Sequence, residues 1–187
     1  MLNYHSSIKE DRSYTGLTIK EVYPILKLNL RGKSRDFLST IGKNINMILP
    51  LEANTSSSSD KYTSMWLSPD EWMIVSNDTI NKENNNYEIE DLLFKKISKT
   101  NMGAITDVSD QFVLLNLKGE KIFDLLSTGC SFNFDHFKIK KSAVIQKLLA
   151  QIDVIILNKG INNVSLFVRR SFSEHLMSWI KDAASRL

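Results

Sequence analysis

The hydrophobic residues of this chain change period twice, in the same order. Val22, Pro24, Leu26, Leu28 and Leu30 fall on one side of an extended segment, with Lys27, Asn29 and Arg31 on the other. Period two marks a strand with one buried face. Pro24 has no N–H to give, which sets the strand at an edge or starts it just afterwards. Phe37, Ile41, Ile45 and Ile48 then recur at helical spacing. Ser34 is the expected N-cap, Asp36 lies in the first turn, and Pro50 ends the element. Period two returns over 61–67 and 71–75, across Ser68-Pro69-Asp70. Tyr87 to Lys99 predicts a second helix with Ile89, Leu92, Leu93 and Ile97 inward.

The scheme then begins again. Residues 104–108 and 112–117 are extended and broken at Ser109-Asp110. Gly119 opens a short helix with Ile122, Phe123 and Leu126 inward, and Gly129 suits its C′ position. Residues 131–141 read as a loop carrying Phe132, Phe134 and Phe137. Strands follow at 143–149, 152–157 and 164–168, the last two joined at Asn158-Lys159-Gly160. Ser171-Phe172-Ser173-Glu174 reads as a capping box. The helix it opens would bury Phe172, Leu176, Trp179, Ile180, Ala183 and Leu187.

Two such runs, about 18–100 and 101–187, predict an α+β fold. It consists of two ferredoxin-like, split βαβ halves forming antiparallel sheet covered by helices on one face. Residues 18–187 are expected as a single domain. Residues 1–17 are polar and aperiodic, and are expected as a flexible tail. Ser56–Ser59 and Asn84-Asn85-Asn86 read as loop on composition.

The chain's 187 residues suffice for one sizeable core or two small halves sharing one. A net charge of +3 is too mild to predict nucleic-acid binding. The densest basic cluster, Lys138, Lys140 and Lys141, reads as a solvated loop. Cys130 is alone, which rules out an internal disulfide and points to a reducing, cytoplasmic setting. The opening MLNYHSSIKEDRSYTG has no apolar signal region, and no apolar run is long enough to span a bilayer.

Few residues carry chemistry. WLSPDEW at 66–72 places two of the chain's three tryptophans around a Pro-Asp-Glu corner. Adjacent Asp70 and Glu71 in a strand point to opposite faces and do not converge on one bond. A hairpin corner is the plainer use of Ser, Pro and Asp there. The tryptophans either fill the core or face a partner, since aromatics favour both places. In TDVSD (106–110), a bulge could aim Asp107 and Asp110 at one point, although turn bonding is the commoner use. His5, His136 and His175 do not fall at ligand spacing with Cys130, so a structural zinc site is not expected. Nothing near Cys130 marks it as a nucleophile paired with His136. Arg169 and Arg170 either close an ion pair at a strand end or fork onto a carboxylate of another chain. There is no GxGxxG and no P-loop. The residues alone describe a scaffold without catalytic machinery.

Several stretches resemble one family, in order, from about residue 22 to the C-terminus. WLSPDEW resembles the WLGPDEW of the gamma subunit of heterotetrameric sarcosine oxidase. Leu30-Arg31-Gly32 is similar to its LRG, and Pro50 with Asn54-Thr55 to its Pro-Asn-Thr segment, here separated. TDVSD matches its DVSD. LKGEKIFDLLSTGCSFNF (117–134) and RRSFSEHLMSWIKDAA (169–184) resemble its later motifs. Ser68 stands where the family usually has Gly, Asn133 where Asp is common, and Lys147 follows Gln146 where Thr is usual.

The resemblance implies the fold of the folate-binding domain of aminomethyltransferase. It implies a non-catalytic, structural subunit of a complex that oxidatively demethylates sarcosine to glycine, with tetrahydrofolate taking the one-carbon unit. FAD, FMN, NAD, tetrahydrofolate and zinc would sit in the alpha, beta and delta subunits, the expected partners. Catalytic, cofactor and metal residues are then expected to be absent from this chain. The candidate subunit interface is Trp66, Pro69, Asp70, Glu71, Trp72 and Arg170. The alternative is a stand-alone folate-binding or aminomethyltransferase-like protein. That would need a catalytic carboxylate, a folate clamp and a further C-terminal domain. The Lys-Gly-Cys-Tyr-x-Gly-Gln motif of folate-sensing proteins is missing, since Gly129-Cys130 is followed by Ser131-Phe132-Asn133.

Overall fold

The structure, a computed structural model, describes residues 6–8, 11–22, 24–78 and 87–187. His5 and Asn84-Asn85-Asn86, read above from sequence, lie outside them. The chain is α+β, with two antiparallel sheets and five α-helices among the described residues. Its contacts divide it into two compact units, one of residues 1–22 with 111–187 and one of residues 23–110.

The first unit holds β1 (Arg12–Tyr14), β2 (Leu17–Glu21), β8 (Phe112–Lys118), β9 (Val144–Leu149), β10 (Ile152–Gly160) and β11 (Asn163–Arg169). Their order is β1-β2-β8-β11-β10-β9. Helices α3 (Ile122–Gly129), α4 (Asp135–Ile139) and α5 (Arg170–Ala184) belong to it. Alternate strand residues such as Leu115, Leu117, Val154, Ile156, Leu166 and Val168 form one buried cluster with Leu125, Phe137, Leu176 and Ile180 of the helices. The second unit holds β3 (Lys27–Arg31), β4 (Ser56–Ser58), β5 (Tyr62–Ser68), β6 (Glu71–Ser76) and β7 (Ala104–Asp107), in the order β4-β5-β6-β3-β7. Helices α1 (Arg35–Ile45) and α2 (Tyr87–Lys96) supply Phe37, Ile41, Ile45 and Leu93 to its core. In each unit the core thus forms between one sheet face and its helices.

Several local expectations differ from what forms. Arg12–Tyr14 pairs with Leu17–Glu21, inside the stretch expected as a tail. Three residues are too few for periodicity to register. The halves also trade strands: β2 pairs with β8, and β7 pairs with β3. The unit boundary therefore falls at 22/23 and 110/111 rather than near residue 100. Ser56–Ser58 is an edge strand rather than loop.

Helix α1 starts as expected, with Ser34 Oγ accepting from Phe37 N–H at 3.0 Å. It stops early because Asn46 turns left-handed at φ 51°, and Ile48 emerges 84% exposed. Gly129 is the last residue of α3 rather than its C′. Its need for glycine is close packing: a Cβ there would lie 2.4 Å from Trp179 Cζ2. Residues 135–139 form α4 rather than loop. The β10–β11 turn sits at Ile161-Asn162, three residues later than expected, because β10 runs on through a bulge at Asn158/Gly160. Helix α5 begins at Arg170 without a side-chain cap, and Ser173 Oγ donates instead to Arg170 O at 2.8 Å. Its buried face is Ser173, Leu176, Met177, Ile180 and Ala184, leaving Phe172 half exposed.

Candidate functional site

The Trp-to-Trp stretch forms the β5–β6 hairpin. Trp66 lies opposite Trp72, and Ser68 opposite Glu71, leaving Pro69-Asp70 as the corner. Residues directly opposite in an antiparallel pair share a face, and here both tryptophans face the helices of their unit. Trp72 is 1% exposed and packs on Phe37, with ring centroids 6.2 Å apart. Its Nε1–H donates to Pro50 O at 2.7 Å. Trp66 is half-buried against the same core. Trp72 is therefore withdrawn from any direct partner contact, because packing and its indole hydrogen bond both hold it inside.

The two acids do not converge. Asp70 Oδ1 accepts from Ser68 Oγ at 2.8 Å, and Asp70 O accepts from Gly32 N–H at 3.0 Å. Glu71 Oε1 accepts from Asn29 Nδ2 and Oε2 from Arg31 Nη2, both at 2.7 Å. Glu71 thus links β6 to β3, while Asp70 closes the corner. Of this corner Pro69 is exposed, while Ser68, Asp70 and Glu71 are half-buried.

TDVSD also serves its own backbone. Asp107 Oδ1 accepts from Ser109 N–H at 2.8 Å, and Ser109 Oγ accepts from Lys27 N–H at 2.9 Å. Lys27, expected on the solvent side of its strand, is 3% exposed. Its Nζ donates to Ser109 O at 3.0 Å and Ile25 O at 3.3 Å. Carbonyl dipoles solvate this ammonium where water is excluded. Its alternation with Asn29 and Arg31 gave no sign of burial.

Arg169 and Arg170 do not fork together. Arg169 stands 6.0 Å from the centroid of the Phe112 ring. Arg170 Nη1 donates to Ser7 Oγ at 3.0 Å, and its N–H to Gln111 O at 2.9 Å. Cys130 is buried and His136 exposed. Burial pushes the Cys130 thiol up, against a smaller opposing effect of Lys147. The thiolate needed for nucleophilic attack is thereby disfavoured. Among the described residues no three His, Cys, Asp or Glu side chains come together as metal ligands. No described helix is long and apolar enough to cross a membrane.

Asn158, read from sequence only as a corner, is the polar residue that organises the first unit's helical face. It is wholly buried. Its Nδ2 donates to the carbonyls of Phe137, Lys138 and Lys140 at 2.6, 3.3 and 3.1 Å, and its Oδ1 accepts from Gly160 N–H at 2.9 Å. It holds the C-terminal end of α4 against β10. Phe123, Phe132, Phe134 and Phe137 gather beside it, most pairs meeting edge to face.

The model of the family described as sarcosine oxidase, gamma subunit, matches residues 31–186. The chain belongs to that family. Among solved structures, it is similar to the heterotetrameric sarcosine oxidase from Corynebacterium sp. U-96 in complex with pyrrole 2-carboxylate. The TM-score is 0.80 at 23% identity, over 91% of this chain and 84% of that one. It is also similar to the glycine cleavage system aminomethyltransferase T from Bartonella henselae, with a TM-score of 0.61 at 14% identity. That match covers 88% of this chain and 45% of the aminomethyltransferase, so the gamma-family chain spans under half of that protein. These likenesses establish the aminomethyltransferase-like fold. No curated protein matches the chain.

Proposed function

We propose that this chain is a non-catalytic, architectural subunit of a sarcosine oxidase complex. In this reading the complex oxidatively demethylates sarcosine to glycine, with tetrahydrofolate as one-carbon acceptor. FAD, FMN, NAD, tetrahydrofolate and zinc are held by alpha, beta and delta partner subunits in the cytoplasm. The observation that carries the reading is the family match over 31–186, together with the use of the candidate side chains. Asp70, Glu71, Asp107 and Arg170 are each committed to bonds within the chain. The hairpin's share of a subunit contact narrows to Trp66 and the exposed Pro69.

Co-purification from the native host tests this. The tagged chain is expected to bring down a yellow complex with a dinucleotide-binding chain, a flavin-linked chain and a small zinc chain. A colourless, lone protein that binds folate at micromolar concentration would replace the reading with the stand-alone folate-binding alternative, which the aminomethyltransferase-like fold also supports.

A further inference from the structure

The early stop of α1 builds a feature that the fold itself does not use. Asn46 turns left-handed, and the chain then runs through residues 47–51 outside any helix or strand. Met47 and Leu49 point inward and are buried. Ile48 and Leu51 point outward, 84% and 68% exposed. With Leu38 they line a groove of about 630 Å³ along α1.

This apolar segment is held rigidly from beneath. Met47 N–H donates to Gly42 O at 3.1 Å, Ser57 Oγ donates to Ile48 O at 2.7 Å, and Trp72 Nε1–H donates to Pro50 O at 2.7 Å. A backbone held so loses little freedom on meeting a partner, which lowers the cost of binding. The groove's charge is one-sided. Arg35 and Lys43 line it with no carboxylate among its lining residues. Neither has an ion-pair partner among the described residues.

We infer that this groove docks a protein surface of a partner subunit that inserts an apolar side chain between Ile48 and Leu51 and presents carboxylates to Arg35 and Lys43. The inference rests on the subunit reading above and adds a surface to it. Apolar contact gives the affinity, and the charge pairing selects the partner and its register. The second tryptophan of WLSPDEW then serves assembly indirectly, by holding Pro50 and the segment that carries the contact.

The test is capture of the partner subunits by the tagged full chain in its native host. Ile48→Asp/Leu51→Asp is expected to lower partner recovery by more than about tenfold. Both side chains are exposed, so the variant should keep the wild-type circular dichroism and urea midpoint. Ile161→Asp, at the 92% exposed β10–β11 turn, is the control and should recover partners like wild type. Arg35→Glu/Lys43→Glu is expected to lose partner at low salt. Its gap from wild type should narrow at about 1 M salt, where screening acts within roughly 3 Å.

This charge variant also decides the matter should the Asp variant unfold. Full capture by both variants overturns the inference while leaving the subunit reading intact. No capture by wild type overturns both. A wild-type homodimer lost in the Ile48 variant, or wild-type binding to anionic vesicles in place of protein, would assign the groove to another occupant and overturn the inference.

Discussion

The two units solve one problem with unequal outcomes. In each, a short stretch after a helix is held by a buried side chain from a strand that donates to its carbonyls. In the six-stranded unit, Asn158 of β10 holds the carbonyls of Phe137, Lys138 and Lys140. The stretch after α3 buries Cys130, Phe134 and Phe137 beneath itself and leaves Ile139 exposed. In the five-stranded unit, Trp72 of β6 holds Pro50 O, and the stretch after α1 buries Met47 and Leu49 but sends Ile48 and Leu51 outward. Satisfying backbone polarity and burying apolar side chains are thus separable. Where the first is done and the second only in part, the exposed groups stand on a held backbone without contributing to the core. That contrast distinguishes a stretch built for stability from one free to meet a partner.

Breaking the Asn158 hold should have the largest effect. Asn158→Leu takes one donor from three carbonyls, of which Phe137 O and Lys140 O keep a backbone donor, and strands the Gly160 N–H beside a buried side chain. The cost is expected at about 3 kcal/mol, the scale for stranding buried hydrogen-bonding groups. Urea denaturation of the full chain would read this as a lower midpoint. A loss within error of zero would mean that water reaches α4 and that the hold is dispensable.

The matching change in the other unit is Trp72→Phe. It keeps most of the ring against Phe37 and removes only the Nε1–H donor to Pro50 O. About 1–2 kcal/mol of stability should be lost, one hydrogen bond plus a small cavity. If the groove inference holds, partner recovery should fall more steeply than the stability change implies. Equal stability loss with unchanged recovery would separate the tryptophan from assembly.

Glu71→Gln is the milder change. It keeps an acceptor for Asn29 and weakens the exposed contact with Arg31, whose side chain is 56% exposed. A loss of about 0.5 kcal/mol is expected, shrinking in high salt, as for other solvent-screened pairs. Partner capture should be unchanged, because the carboxylate is already engaged within the sheet. A drop in capture without a drop in stability would return the hairpin corner to the interface.

How much of this could be read from residues follows from what each element depends on. Phe37, Ile41 and Ile45 were legible because helix burial follows spacing. Ile48 broke that pattern because Asn46 adopts a left-handed backbone, which periodicity does not encode. The hairpin at Pro69 was legible because its corner chemistry is local. Asn158 and Lys27 were not, because each is satisfied by carbonyls brought by the fold. Those of Asn158 lie up to 21 residues away in sequence. Strand exchange between the halves escaped for the same reason: β2 lies before the first strand read from the pattern, β7 reads as an ordinary strand, and only pairing reveals which sheet receives them. The family resemblance reached the fold, whereas the apolar groove lies where one residue ended a helix early.

The smallest effect concerns charge at α2. Partial burial and the nearby Asp107 and Asp91 carboxylates hold the Glu90 carboxyl above its ordinary range. A carboxyl raised in the folded state is disfavoured when ionised, so it subtracts stability as pH rises through its titration, and not below it. Glu90→Gln removes that ionisation. The variant should gain a few tenths of a kcal/mol at neutral pH, the scale for largely solvated charges. The gain should fade as the medium becomes acidic enough to protonate Glu90 in both states. Midpoints measured across that range would show converging curves for variant and wild type. Curves separated equally at every pH would mean that Glu90 acts through packing in α2 and not through its charge.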